Sequence, residues 1–225
     1  MWPAFPPIGQ PVPVVSGGKK RRRMMRSKSG GRLGQDGMRR GSRRDGGGLR
    51  AVWVLALAGL LLMTGLAQAF TLRGPGDQLS LDQVYSGFGC SGRNISPELD
   101  WSQAPAGAKS FAVAVYDPDA PGRGWWHWLV WNIPASASGL KTGAGGQGAN
   151  LLPPGSVQGR NDFGDMGYGG ACPPLGDQPH RYVFTVYALD RERLDLDPKT
   201  PPTQAEAAIK RHALAWATLV SRYQR

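Results

Sequence analysis

The sequence lacks a membrane-length apolar run, a catalytic serine motif and internal repeats. Its long apolar run, Ala51 to Leu66, has 16 residues, whereas a transmembrane helix needs about 20. There is no Gly-x-Ser-x-Gly motif, and no serine adjoins His127 or His180, so the usual sign of a serine hydrolase is missing. The absence of repeats argues against a repeat architecture.

The predicted mature region also lacks an excess of charge of either sign. The net charge of the chain is +11, which at first indicates a nucleic-acid-binding protein. However, residues 1–69 hold 13 Lys and Arg against 2 Asp, whereas residues 70–225 hold 14 basic and 14 acidic side chains. A neutral domain has no footprint for a phosphate backbone, so we expect no nucleic-acid partner.

The basic N-terminal region has the layout of an export signal. Residues 1–37 are rich in Pro, Gly, Ser and Arg, so we expect disorder there. From Met38, a basic segment precedes the apolar run and the small-residue site Ala67-Gln68-Ala69. This order predicts a signal peptide over 38–69, cleavage after Ala69 and a periplasmic or secreted domain over 70–225. An uncleaved anchor is the alternative, and Met38 is our preferred start, with 1–37 not translated.

The mature region is predicted to be β-rich. Alternating or continuous apolar residues predict three strands, and a weaker pattern predicts a fourth. Residues 134–180 are rich in Gly and Pro and predict a long, irregular loop. The three strands are Ser110–Tyr116, Trp126–Ile133 and Arg181–Leu189, and the weaker one is Leu79–Tyr85.

A C-terminal helix is predicted to pack on the sheet. Thr203 with Glu206 three residues later fits a capping box. Apolar residues then recur at helical spacing. They are Ile209, Ala213, Trp216, Val220 and Tyr223, and His212 is expected to face solvent.

Two carboxylates and two histidines are candidates for one site. Asp117-Pro118-Asp119-Ala120-Pro121 must be a rigid loop, because its prolines cannot lie in a helix or a central strand. If strands 126–133 and 181–189 are neighbours, His127 and His180 meet this loop at one end of the sheet. The carboxylates alone fit a turn, and a strand histidine alone fits a packed core. Together they fit metal ligation, hydrolysis or the binding of an anion.

Several spaced motifs favour the binding of an anion over metal ligation and hydrolysis. Through these motifs, residues 70–225 resemble the phosphatidylethanolamine-binding protein family, and they are closest to its bacterial Raf-kinase-inhibitor-like branch. The resemblance implies a central antiparallel sheet, a smaller flanking sheet and a small anion pocket near the surface. It does not carry over the kinase inhibition of eukaryotic members. The matching segments, in the family's order, are Asn94–Pro97, Asp117–Pro121, Trp126–Asn132, Gly159–Gly164, Tyr168–Pro174, His180–Tyr182 and Tyr223–Arg225.

The resemblance also implies the residues of the pocket. Two imidazoles and a tyrosine hydroxyl can donate hydrogen bonds to a phosphate, while a carboxylate orients an imidazole. We therefore expect anion binding to strengthen as pH falls through the imidazole range, about 6.5. Trp125 is a candidate for the pocket edge, whereas Trp128 and Trp131 are expected in the core. The implied binding residues are Asp117, His127, His180 and Tyr182, with Asp119 and Pro121 shaping one wall and Gly170, Pro173 and Pro174 the opposite wall.

Cys90 and Cys172 are the two cysteines of the chain. An even pair in an exported protein predicts a disulfide. Family members without an export signal carry similar cysteines, so two packed thiols are the alternative.

These observations predict an exported, non-enzymatic binding protein for phosphate-like anions or phospholipid head groups. We expect no cofactor and no metal, and contact with a membrane only through the signal peptide. Two alternatives stay open. One is a protease- or kinase-inhibitor-like interaction module. The other is a hydrolase or metal-dependent enzyme that uses Asp117, His127 and His180.

The position of the signal gives a first testable prediction. Mass spectrometry of the native protein should find a mature N-terminus at Phe70, because cleavage is predicted after Ala69. No peptide should map upstream of Met38. Recovery of such a peptide would show that translation starts upstream of Met38.

Overall fold

The computed structural model describes residues 69–146, 148 and 151–225. The predicted disordered segment 1–37, and the predicted signal peptide up to residue 68, lie outside the described residues. No helix within the described ranges is long and apolar enough to cross a membrane.

The core of the domain is a five-stranded antiparallel sheet with the order β10-β9-β5-β6-β8. A smaller sheet has the order β1-β4-β7, and β2 pairs with β3. The domain is therefore mostly β, as the sequence predicted. The strands are β1 Thr71–Arg73, β2 Ser86–Gly87, β3 Cys90–Ser91, β4 Leu99–Ser102, β5 Ser110–Asp117, β6 Trp125–Pro134, β7 Gly139–Leu140, β8 Val157–Gln158, β9 His180–Leu189 and β10 Ala213–Tyr223, and the helix is α1 Pro202–Arg211.

Strand β5 is the centre of the sheet and is apolar on both faces. Val113 and Val115 pack into one cluster with Phe184, while Ala112 and Ala114 pack into a second. Burial on both faces explains the nearly continuous apolar sequence of β5, because every position except Tyr116 is buried. Trp128 and Trp131 are fully buried, one in each cluster, which agrees with the prediction that they are core residues.

The predicted C-terminal helix is correct only at its start. Helix α1 ends at Arg211, and Ala213–Tyr223 is a strand that pairs with β9 along almost its full length. Its Trp, Thr and Val residues favour a strand, and the ladder to β9 overrides the helical spacing. Thr203 is not the N-cap, because Pro201 occupies that position without a side-chain hydrogen bond. His212 ends the helix half-buried, with Nδ1 3.1 Å from Asp190 Oδ1.

Two other expectations about strands were wrong. Strands β6 and β9 are not neighbours, because β5 lies between them. Leu79–Tyr85 forms no strand and is joined to the fold at Val84 by an isolated bridge to Ala171. The two histidines still reach one end of the sheet, because β5 ends there while antiparallel β6 and β9 begin there.

The disulfide gives a prediction that thiol counting can check. The structure joins Cys90 and Cys172 across a sequence separation of 82 residues. Denatured protein should therefore expose no thiol before reduction and two afterwards. Replacing both cysteines with alanine should lower the free energy of unfolding by about 4 kcal/mol, because the loop closed in the unfolded chain is long. Two thiols without reductant would disprove the bond.

Candidate functional site

A pocket of about 200 Å³ opens where β5 ends and β6 and β9 begin. Its polar lining comes from four side chains on these three strands, and the remaining walls are mostly apolar. The polar residues are Asp117, His127, His180 and Tyr182. The apolar walls include Phe88, Pro121, Trp125 and Phe163, with Pro173 and Pro174 on another side.

The Asp117 carboxylate holds the loop and one imidazole together. Asp117 is the last residue of β5 and is 2% exposed. Its Oδ1 accepts hydrogen bonds from the backbone N–H groups of Asp119 at 2.8 Å and Ala120 at 3.2 Å. Its Oδ2 lies 2.7 Å from His180 Nδ1. The turn role and the imidazole-orienting role are thus performed by different oxygens of one side chain.

His180 is buried at the first position of β9, with a carboxylate oxygen facing each ring nitrogen. Nδ1 contacts Asp117, and Nε2 lies 3.4 Å from Oδ2 of the more exposed Asp177. Both ring nitrogens are therefore directed at carboxylates of the fold, and the ring holds Asp117 in place at the pocket wall.

His127 is held differently, by backbone carbonyls. Its Nδ1 lies 2.7 Å from the Gly169 oxygen and 3.1 Å from the Gly170 oxygen. Its Nε2 is buried and has no hydrogen-bond partner among the described residues. Burial lowers the pKa of His127, although the carbonyls and Asp117 oppose this shift. The ring therefore favours the neutral form.

Tyr182 adds a second buried polar atom without a partner. Its ring meets that of His127 edge-on, with 5.1 Å between the centroids, and its hydroxyl has no hydrogen-bond partner within the described part of the chain. Burial, followed by the charge of Asp117, raises the pKa of Tyr182, and the nearby backbone N–H of Cys172, which does not meet the geometry of a hydrogen bond, opposes this shift. The hydroxyl thus keeps its proton at neutral pH and can donate it in a hydrogen bond.

Asp119, predicted as a wall residue, turns away from this pocket. Its carboxylate accepts hydrogen bonds from the Arg181 backbone N–H at 2.8 Å and from the Arg181 guanidinium at 2.6 Å. These contacts lower the pKa of Asp119 and fasten the loop to β9. Asp119 lines instead an open cavity of about 470 Å³, with Asp177 and Arg222, and His180 lines both this cavity and the pocket.

Gly170 supports the pocket through its backbone. A Cβ at this position would lie 2.3 Å from the Gln83 oxygen and 2.5 Å from the Tyr85 nitrogen. The Gly170 N–H donates to Asn94 Oδ1 at 2.7 Å, and its oxygen contacts the His127 ring. Gly170 therefore allows two chain segments to meet closely behind the pocket wall.

Sequence reasoning did not assign the aromatic part of the lining apart from Trp125. Phe163 stacks on Tyr85 with 4.1 Å between ring centroids, and its ring also meets Trp125, Phe88 and His127. The Gly159–Gly164 motif, which contains Phe163, could have indicated this residue. The family resemblance includes that motif but did not assign Phe163 to the pocket. Phe88, Ala120 and Cys172 were also missed as lining residues.

The loop that carries Phe163 is fixed by polar side chains. Asp162 accepts hydrogen bonds from the Trp126 backbone N–H at 2.9 Å and from Arg123 at 3.2 Å. Buried Asn161 closes the loop by accepting from the Asp165 backbone N–H and donating to the Gly167 oxygen. The aromatic wall is therefore held by the loop and by the start of β6.

Among the described residues, no three His, Cys, Asp or Glu side chains are arranged so that they could hold a metal ion. The polar atoms of the pocket instead make hydrogen bonds within the fold or, like His127 Nε2 and the Tyr182 hydroxyl, have no hydrogen-bond partner among the described residues.

A β-rich fold with a preformed pocket defines a ligand-binding protein in general terms. The family model described as phosphatidylethanolamine-binding protein matches residues 74–224, and the chain belongs to this family. The match confirms the resemblance carried by the sequence motifs.

Two relatives from Escherichia coli K12 are similar over about two thirds of the chain. YbcL is 51% identical over 150 residues, covering 66% of this chain and 82% of YbcL. YbhB is 48% identical over 149 residues, covering 66% of this chain and 93% of YbhB. A third relative, LppC of Mycobacterium tuberculosis H37Rv, is 39% identical over 137 residues, covering 61% of this chain and 64% of LppC, and carries the word lipoprotein in its name.

Solved structures give the same fold. The crystal structure of E. coli YbcL, titled as a new member of the mammalian PEBP family, has a TM-score of 0.68 at 47% identity, covering 70% of this chain and 99% of YbcL. CT736 from Chlamydia trachomatis has a TM-score of 0.57 at 33% identity, covering 70% of this chain and 98% of CT736. These likenesses confirm the predicted fold class.

Crowding at Gly170 gives a stability prediction. Gly170→Ala should lower the free energy of unfolding by about 3 kcal/mol, because its methyl group meets backbone atoms that cannot move independently. Gly76→Ala is the matched control, since no atom lies within 4 Å of a Cβ there. Chemical denaturation checks both variants. Equal stability of the two would show that the segments behind the pocket separate without cost.

Proposed function

We propose that this is an exported binding protein whose pocket takes phosphate-like anions, either free or as phospholipid head groups. The observation that carries the proposal is the pair of buried, unsatisfied polar atoms, His127 Nε2 and the Tyr182 hydroxyl. Leaving such atoms unsatisfied costs about 1–3 kcal/mol each. A ligand that forms hydrogen bonds with both recovers this energy.

The pairing of Asp117 also supports this ligand class. The His180 ring contacts the buried Asp117 carboxylate, so this negative charge is not left unpaired beside an anion. Family membership supports ligand binding in general. The signal-like leader, together with a relative named as a lipoprotein, supports export.

The size of the pocket limits how much of a ligand it can enclose. A volume of about 200 Å³ is below the range of ordinary drug-sized sites, which begins at about 300 Å³. A phosphate or a small head group fits this space, and acyl chains stay outside.

Binding is favoured over hydrolysis by the chemistry of the lining. No serine or threonine lines the pocket in the described part of the chain, and Cys172 is bonded to Cys90. His127 is oriented by carbonyls rather than by a carboxylate. The pocket residues therefore do not form an acid–base–nucleophile triad.

Calorimetric titration of the mature protein, purified after expression of the full chain, tests the proposal. Phosphate and phosphoethanolamine should both bind, and His180→Ala should weaken binding at least about tenfold, because it removes the partner of the buried Asp117 carboxylate and leaves that negative charge unpaired beside the anion. His212→Ala is the matched control, since His212 also pairs with an aspartate but lies outside the pocket.

Vesicles distinguish the two sources of the anion. Tighter binding to phosphatidylethanolamine vesicles than to phosphatidylcholine vesicles would identify a lipid head group, whereas binding of soluble phosphates alone would identify a free anion. If neither soluble anions nor vesicles bind the parent protein, the proposed function is wrong.

A further inference from the structure

The hydrogen bonds of His127 fix which of its nitrogens carries the proton. Nδ1 faces the carbonyl oxygens of Gly169 and Gly170 at 2.7 and 3.1 Å. Carbonyl oxygens only accept, so Nδ1 must donate. In a neutral ring, Nε2 is then a bare acceptor. This differs from the sequence-based expectation that His127 donates a hydrogen bond to the anion.

The surroundings of the ring favour that neutral state. His127 is 3% exposed, and burial lowers its pKa despite the opposing charges of Asp117 and Asp162. Both carboxylates are already engaged, Asp117 with His180 and Asp162 with Arg123 and a backbone N–H. Two further titratable side chains line the same pocket, namely His180, which pairs with Asp117, and Tyr182, which packs edge-on against the His127 ring.

Among the described residues, the pocket lining therefore presents one unsatisfied acceptor and two unsatisfied donors, because the Trp125 indole N–H is also buried without a partner. His127 Nε2 needs a hydrogen-bond donor from the ligand, and the Tyr182 hydroxyl can donate to an acceptor. Both side chains line the pocket, are at least nine-tenths buried and have no partner for these atoms within the described ranges. The best-matched ligand carries an O–H and an adjacent oxygen.

Building on the proposed function, we propose that the pocket selects oxyanions that carry a P–O–H group, namely hydrogen phosphates and phosphate monoesters in the monoanionic form. The ligand P–O–H donates to His127 Nε2, and a neighbouring phosphate oxygen accepts from the Tyr182 hydroxyl. Sulfates and phosphodiesters lack this proton at neutral pH. They place an oxygen lone pair against the His127 lone pair.

Diester phospholipid head groups lack the P–O–H donor that free phosphate monoesters carry. The phosphate of a phosphatidylethanolamine head group is a diester and has no P–O–H. The preferred ligand is thus a small phosphate monoester rather than an intact glycerophospholipid.

Methyl phosphate and methyl sulfate form the matched pair of probes. At pH 5.5 both are mostly monoanions of nearly equal size, and they differ by one proton, since the second pKa of a phosphate monoester is about 6. Calorimetry should show methyl phosphate binding at least about tenfold more tightly, the effect of one mismatched buried hydrogen bond. Its affinity should fall by up to tenfold for each pH unit above about 6.5, as the monoanion is lost.

A variant isolates the role of Nε2. In His127→Asn, the amide N–H can replace Nδ1 as donor to the glycine carbonyls, while the Nε2 acceptor is removed. The preference for methyl phosphate should then shrink to less than about threefold. His212→Asn is the control and should keep the full preference. If the His127 variant does not fold, nitrogen chemical shifts of His127 in the parent protein should show a neutral ring protonated on Nδ1.

The outcomes separate this inference from the proposed function. Equal binding of methyl sulfate and methyl phosphate would overturn the inference and leave anion binding intact. Methyl sulfate affinity that rises steeply as pH falls would also overturn it, because it would mark a protonated His127. Failure of all anions to bind would overturn both.

Discussion

The buried carboxylate of Asp117 is the constraint on which the rest of the site depends. A buried charge is tolerated only when it is paired and hydrogen-bonded, and Asp117 meets this condition with two loop N–H groups and the His180 ring. The same contacts fix the path of the loop after β5 and the position of the first residue of β9. One desolvated charge thus joins two elements that are 63 residues apart in the sequence.

Strand β5 places this charge where the site is assembled. Its neighbours on both sides are antiparallel, so its last residue lies beside the first residues of β6 and β9. Its interior is buried on both faces, so a polar group at the end of the strand meets other polar groups there rather than along its length. The Gly159–Gly170 segment closes the remaining side through carbonyl contacts with His127.

Sequence patterns predicted the strands that carry the site but not how they are arranged. Strands β5 and β9 are largely buried, so their sequences are apolar runs that local patterns detect. The order of the strands depends on long-range pairing, which no local pattern encodes. The helical spacing of Ile209 to Tyr223 was misleading, because hydrogen bonding to β9 decided the state of β10. Motif resemblance placed Asp117, His127, His180 and Tyr182 together, yet Asp119 faces Arg181 and away from the pocket, since loop side-chain directions follow local hydrogen bonds.

The unsatisfied atoms of His127 and Tyr182 are explained better by ligand binding than by stability. In a core selected for stability alone, an apolar pair of similar shape would avoid the cost of two buried polar atoms without partners. The rings also pack in the core, since His127 contacts Tyr182 and Phe163. Apolar side chains could make part of these packing contacts. What an apolar pair could not replace is a rigid acceptor beside a rigid donor. Rigid polar groups lower the ordering cost of binding, so the two polar atoms that reduce the stability of the fold also favour the binding of a ligand.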